Sequence, residues 1–109
     1  MTTGSSSREG VERELWRVTT RLSALGPARL ARPGADGATP ADRVRPLLQE
    51  LADTAADLEQ RERRAVPALA PHALGDQLVV LVRDVLDATE DEAVTDRVRD
   101  RLVALRRAL

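Results

Sequence analysis

The sequence predicts an all-α protein, an antiparallel up-down four-helix bundle with dimerisation left open. Three observations support this: apolar residues recur every three or four positions along four segments, two of those segments begin with helix-capping sequences, and Gly and Pro separate them. At 109 residues the chain has room for one domain that folds without metal or disulfides. We expect a single domain over residues 8–109, preceded by a disordered Ser-, Thr- and Gly-rich tail over residues 1–7.

The first two helices are predicted from a narrow apolar stripe and a capping box. A helix over residues 8–25 should end at Gly26 and Pro27, followed by the longest connection of the chain. Thr39 and Asp42 are spaced as an N-cap and its third position, so a second helix should begin at residue 40 and continue to about residue 65. The stripe of the first helix consists of Val11, Leu15, Val18, Leu22 and Leu25.

The third helix is predicted over residues 72–88, after a short proline-containing connection. Its run LVVLV would suit a buried strand locally, but the surrounding apolar residues follow helical spacing and the charged residues gather on the opposite face. Only Val80 interrupts that charged face. Thr89 and Glu92 are spaced as a second capping box, so the fourth helix should cover residues 90–108.

Composition excludes several function classes. The net charge of −1 disfavours nucleic acid as a partner, and the absence of Cys removes thiolate chemistry and disulfides. Lys, Asn, Ile, Phe and Tyr are also absent, which indicates a GC-rich genome of the kind found in actinobacteria, so the many arginines are not a sign of phosphate binding. The sequence starts without a basic, apolar secretory signal and contains no apolar run of about 20 residues, so we expect a cytoplasmic protein without membrane contact.

Candidate catalytic residues are sparse. His72 is the only histidine, and a catalytic role would require an orienting carboxylate and a nucleophile, for which Asp76, Glu59 and Glu62 are the nearest acidic residues. No phosphate-binding loop, zinc spacing or di-metal Glu-x-x-His motif is found in the sequence. We therefore predict a protein that is not an enzyme, with no catalytic, cofactor-binding or metal-binding residue and no cofactor.

An inward ion pair is predicted at the end of the second helix. Extending its apolar spacing places Glu62 where a leucine would be expected, and Arg97 or Arg101 on the fourth helix would then supply a partner for the carboxylate. An ion pair is favoured over a metal site because the further ligands that a metal needs are lacking.

The predicted interface lies on the first and third helices. Trp16, the only aromatic residue, lies more than about 100° from the centre of its helix stripe, so it either covers the connection over residues 26–39 or anchors a partner. The apolar arc of the third helix spans about half its circumference, so this helix either contacts two neighbours or meets a second copy. The interface residues predicted on this basis are Trp16, Val79, Val80, Val82 and Leu86.

These observations predict a small interaction module that self-associates, binds a partner protein, or does both in a regulatory or scaffolding role. The alternative is a binder of a small apolar ligand or cofactor in the bundle core, where the alanines of the second helix would leave space. A nucleic-acid-binding regulator that uses the arginine-rich C-terminal helix is the third hypothesis.

Overall fold

A computed structural model describes the backbone of residues 3–109 and the side chains from residue 7 onward. Within this range the chain forms four helices and no strand, so the prediction of an all-α four-helix bundle is confirmed. The helices are α1 (Thr3–Leu30), α2 (Pro40–Leu58), α3 (Leu74–Ala88) and α4 (Glu92–Ala108), with a 3₁₀ turn at Pro71–Ala73 directly before α3. The LVVLV run is therefore helical.

Helix α1 begins earlier than residue 8, the predicted start. Ser7, placed by the sequence in a disordered tail, is buried, and its hydroxyl lies 3.1 Å from Glu92 Oε1 and 3.2 Å from Asp96 Oδ1. These contacts attach the first turns of α1 to the start of α4, which explains why the helix extends into the predicted tail. Residues 1 and 2 of that tail lie outside the described residues.

Gly26 interrupts α1, as its position before Pro27 predicts. Its backbone is non-helical (φ 76°, ψ 163°), in a region that only glycine adopts readily. The helix then resumes for one turn, and this turn returns Leu30 to the core with 3% of its surface exposed. The kink thus bends the end of α1 around the bundle.

Helix α2 begins at its predicted cap but ends before residue 65. The Thr39 hydroxyl accepts a hydrogen bond from the Asp42 amide, and the Asp42 carboxylate accepts one from the Thr39 amide. At the other end Gln60 is left-handed (φ 56°), and the Arg61 amide donates to the Ala56 carbonyl at 2.8 Å. This pattern is a Schellman stop, which the sequence does not reveal because its left-handed residue is usually glycine.

The connection over residues 59–70 is longer than the one over residues 31–39, contrary to the prediction. It returns along α2: the Gln49 side chain donates to the Arg64 carbonyl and accepts from the Val66 amide, and Arg45 donates to the Leu69 carbonyl. The chain therefore starts α3 level with the start of α2, and these two helices run parallel.

The four helices pack as two parallel pairs, α1 with α4 and α2 with α3. Along the first pair, Ser7 contacts Glu92 at one end and Arg21 donates to the Leu109 carbonyl at the other. The pairs are antiparallel to each other, so the helix directions along the chain are up, down, down, up instead of strict alternation. The return of the 59–70 connection along α2 causes this order.

Helix α3 lies between α1 and α2, and this position accounts for its wide apolar arc. Val82 and Leu86, predicted at an interface, are instead core residues with 0% and 1% exposure. Burial of each such side chain contributes about 1.5–3 kcal/mol. Of the two alternatives for α3, contact with two neighbours within the monomer is the one observed for these residues.

Helix α4 begins at Glu92, later than the predicted residue 90. Asp91 is the N-cap, and its carboxylate accepts a hydrogen bond from the Ala93 amide at 2.9 Å. The Thr89 hydroxyl accepts from the Asp91 amide instead of capping the helix. Thr89 therefore shapes the turn between α3 and α4, and the predicted capping box at Thr89 is wrong.

Candidate functional site

The most exposed large apolar side chains of the helices are Trp16 on α1 and Val80 on α3, with 67% and 58% of their surfaces exposed. The two helices are neighbours and run antiparallel. At one end of their contact Arg8 donates to the Leu86 carbonyl, and at the other Gly26 lies across a cleft from Gly75. Along α1, Trp16 lies between Arg8 and Gly26, and along α3, Val80 lies between Leu86 and Gly75, so both side chains belong to the stretch over which the two helices pack.

We call the surface formed by Trp16, Val79 and Val80 the α1–α3 face. Val79 is half-buried and lies on the side of α3 that turns toward α1. With 67% of its surface exposed, Trp16 leaves most of its indole available to a partner, which favours the anchoring role over covering the connection at residues 26–39.

A cleft of about 450 Å³ continues the α1–α3 face toward the kink in α1. Leu22, Pro27, Leu30 and Val79 supply its apolar walls, and Ser23, His72 and Asp76 supply polar groups. The kink at Gly26 opens this cleft, because a straight α1 would carry its last turn away from the start of α3. The cleft and the face share Val79, so one ligand can contact both.

Ser23, His72 and Asp76 line the same cleft, and residues of these three types form hydrolase triads. A triad requires the imidazole to be hydrogen-bonded to both the hydroxyl and the carboxylate. Among the side chains of residues 7–109, His72 forms no such hydrogen bond or ion pair, and it is exposed. The arrangement therefore supplies polar groups for binding but gives no support for proton transfer.

The structure does not bring together the predicted ion pair at the end of α2. Glu62 lies beyond the Schellman stop and is exposed. Arg101 instead donates to Glu50 at 2.9 Å, and Arg97 lines a polar cleft with Glu50 and Asp53. The prediction failed because it assumed that α2 continues past Leu58.

Glu14 is a buried charged residue that sequence reasoning missed. It is 8% exposed, and its carboxylate lies 3.0 Å from Arg106 Nε and 2.8 Å from Arg17 Nη1. Burial raises its pKa, but hydrogen bonds and positive charge from Arg106 and Arg17 outweigh this effect and hold the pKa below its ordinary value. Its position beside the α1 stripe is the only signal in the sequence, and its role is to connect α1 to α4.

Three of the five arginines of α4 form ion pairs among residues 7–109. Arg106 contacts Glu14, Arg101 contacts Glu50, and Arg99 lies 3.4 Å from Asp100. These carboxylates offset part of the positive charge that contact with phosphates would need. Within residues 3–109 no group of three or more His, Cys, Asp or Glu side chains is placed to hold a metal ion.

A comparison with known proteins finds no matching family model, no similar curated protein and no similar solved structure. None of the helices within residues 3–109 combines the length and the apolar character needed to cross a membrane.

Proposed function

We propose that this protein is a small non-enzymatic interaction module that binds protein, a second copy of itself or another chain, through the α1–α3 face. The observation that carries the proposal is the exposure of Trp16 beside Val80 on two packed helices. Tryptophan is enriched among interface residues that dominate binding energy, and it seldom remains mostly exposed on a monomer.

The energy available at this face is large enough for binding. A tryptophan buries about 150–250 Å² when covered, so the two-thirds of Trp16 that is exposed offers on the order of 100–170 Å². At about 25 cal/mol per Å² this corresponds to roughly 2.5–4 kcal/mol, the range of a binding hot spot. In the monomer this surface is exposed, so its burial energy is gained only when a partner covers it.

Trp16 also supplies the experiment, because it is the only tryptophan in the chain and its fluorescence reports on this face alone. We expect its emission to shift to shorter wavelength as protein concentration rises, together with an increase in mass measured by light scattering. For a different partner, the same shift should accompany binding of a candidate chain recovered from the native host.

Two substitutions test the proposal against a matched control. Trp16→Ala should abolish association, whereas Leu69→Ala, which removes an exposed apolar side chain from the 59–70 connection, should leave it intact. If both variants associate like the original chain, with itself and with the recovered partner, the α1–α3 face is not the binding surface.

One observation favours a second candidate function, the binding of a small apolar ligand. The cleft beside the Gly26 kink has a volume within the range of ligand sites, about 300–1,000 Å³. The alanines of α2 are a poorer location, because the cleft that Ala52, Ala55 and Ala56 line measures only about 120 Å³, below the range of ligand sites. Native mass spectrometry of the purified protein would reveal a retained ligand. A regulatory or scaffolding role and a cytoplasmic location stay predictions.

A further inference from the structure

The outward side of α3 carries a symmetric pattern of charges. Asp76, Arg83 and Asp87 are exposed on α3, and His72 is exposed in the 3₁₀ turn directly before it. At about 100° per residue, the three α3 residues lie in a stripe about 40° wide on the side nearest α1. Val79 and Val80 lie midway along this stripe, one on each side of it. His72 and Asp87 are equally distant from that middle, and so are Asp76 and Arg83.

From this pattern we propose that the α1–α3 face binds a second copy of this chain, with α3 antiparallel to the partner's α3 about a twofold axis between Val79 and Val80. This inference rests on the proposed function and specifies that the protein bound at the α1–α3 face is a second copy of the chain. Around such an axis every contact occurs twice. Asp76 then faces Arg83, and His72 faces Asp87. Val79 lies next to its own copy on one side of the axis, and Val80 lies next to its own copy on the other.

The charges favour this alignment of the two α3 helices over the alignment shifted by one residue. With the axis on Val80 itself, Asp76 would face Asp84, and two carboxylates would be opposed twice in each dimer. With the axis between Val79 and Val80, both charged positions on each side face a group of complementary charge or hydrogen-bonding character. Self-complementarity of this kind favours a second copy over an unrelated helix.

The charged groups at these positions are available in the monomer. Asp76 and Arg83 form no ion pair within residues 7–109, and they are two helical turns apart, about 10 Å along the axis, which is too far for them to pair with each other. Asp87 lies 3.7 Å from Arg8, but its side chain is 78% exposed. An approaching copy can therefore contact all of them.

Trp16 is exposed on α1, the helix that packs beside the outward stripe of α3. A partner helix along this stripe would also contact α1, where the indole offers apolar surface next to the charged pairs. A tryptophan surrounded by polar contacts is typical of a binding hot spot. The same geometry explains why Val80, in the middle of a charged face, is apolar.

The test is a charge exchange measured by analytical ultracentrifugation. In Asp76→Arg and Arg83→Asp homodimers two attractive pairs become two repulsive ones, so each variant should self-associate at least about tenfold more weakly than the original chain. An equimolar mixture of the two variants restores both attractive pairs and should form a heterodimer of near-original affinity, detectable by native mass spectrometry. The double variant D76R/R83D should also recover.

Matched controls lie on α4. Asp100 and Arg107 are exposed and have the same spacing and charges as Asp76 and Arg83. Asp100→Arg and Arg107→Asp should leave the dissociation constant within about twofold, and mixing them should produce no preferred heterodimer. Circular dichroism of every variant checks that the helices are retained.

The outcomes separate this inference from the proposed function. If the original chain dimerises, Trp16→Ala weakens the dimer, and the mixed charge variants do not recover, the α3 register is refuted while the binding face stands. A chain that is monomeric at all concentrations refutes the second copy as occupant, and the proposed function then depends on the recovered partner and Trp16→Ala. A dimer indifferent to Trp16→Ala refutes the α1–α3 face as the dimer contact, and the proposed function is refuted with it when binding of the recovered partner is equally indifferent.

Discussion

The substitution Gly26→Ala tests the kink in α1 that shapes the candidate site. At φ 76° and ψ 163°, Gly26 occupies a backbone region that is almost closed to residues with a Cβ. A Cβ built at Gly26 meets no atom within 4 Å, so the substitution introduces no clash with neighbouring residues. Any loss of stability must therefore come from the backbone of residue 26 itself.

The Gly26→Ala variant can respond in two ways, and each gives an expected loss in the free energy of unfolding. If the kink is kept, alanine in this conformation costs on the order of 1–3 kcal/mol. If α1 straightens, Leu30 leaves the core, and its lost burial costs about 1.5–3 kcal/mol. Both routes predict a loss of about 2 kcal/mol in the free energy of unfolding, which lowers the Tm of a domain of this size by roughly 8 °C.

Thermal unfolding followed by circular dichroism measures the effect, with Gly75→Ala as the matched control. Gly75 lines the same cleft from α3, has an ordinary helical backbone, and also has open space at its Cβ. Alanine there should raise stability by up to about 1 kcal/mol through helix propensity. A Gly26→Ala variant as stable as Gly75→Ala would show that α1 is not kinked at this residue.

Three other predictions concern the cap, the buried carboxylate and the two faces of α3. Thr39→Ala removes the acceptor for the Asp42 amide and should lower the free energy of unfolding by about 1 kcal/mol in urea titrations, without a change in the m value. Glu14→Gln removes the charge that Arg106 and Arg17 contact and should cost about 1–3 kcal/mol at neutral pH. The pKa of Glu14 is lowered in the folded chain, so its stabilisation is present above the unfolded-state pKa and is lost as pH falls through the folded-state pKa. The difference in free energy of unfolding between the original chain and Glu14→Gln should therefore narrow in acid. A difference that stays constant with pH would contradict this reasoning. At protein concentrations below those at which the chain associates, Leu86→Ala should cost about 2–5 kcal/mol and Val80→Ala less than about 0.5 kcal/mol, whereas similar losses would place Val80 in the core.

The helices themselves were predictable because their signals are local. The stripe from Val11 to Leu25 is buried as its spacing indicates, and the Thr39 capping box forms with both of its hydrogen bonds. Gly26 and Pro27 interrupt α1 where expected. Each of these features depends on residues within one or two helical turns, which a sequence shows directly.

Features that depend on the path of the chain were not predictable in this way. The end of α2 is set by a left-handed Gln60, a residue that gives no warning of a stop, and the ion pair predicted for Glu62 failed with it. The parallel course of α2 and α3 depends on hydrogen bonds from Gln49 to the returning connection. Spacing alone did not show which partner Arg101 would contact.

The candidate site was predicted in part. Trp16 lies outside the core, as its off-stripe position predicts, and Val80 is exposed on the charged face. Val82 and Leu86 were misplaced because a wide apolar arc can be covered either by a second neighbour or by another chain, and a sequence does not distinguish these cases. The cleft beside Gly26 requires the kink and the start of α3 to meet, which is a tertiary property.

Val80 is an exposed apolar residue that the stability of the monomer does not require. A β-branched residue in the exposed middle of a helix has a lower helix propensity than alanine or arginine, and here it is not compensated by burial in the core. The monomer would therefore be at least as stable with a different residue at this position. Trp16 presents the same imbalance on the neighbouring helix, since most of its apolar surface remains in water. The two residues lie on adjoining helices, so contact with one other protein surface would resolve both imbalances at once.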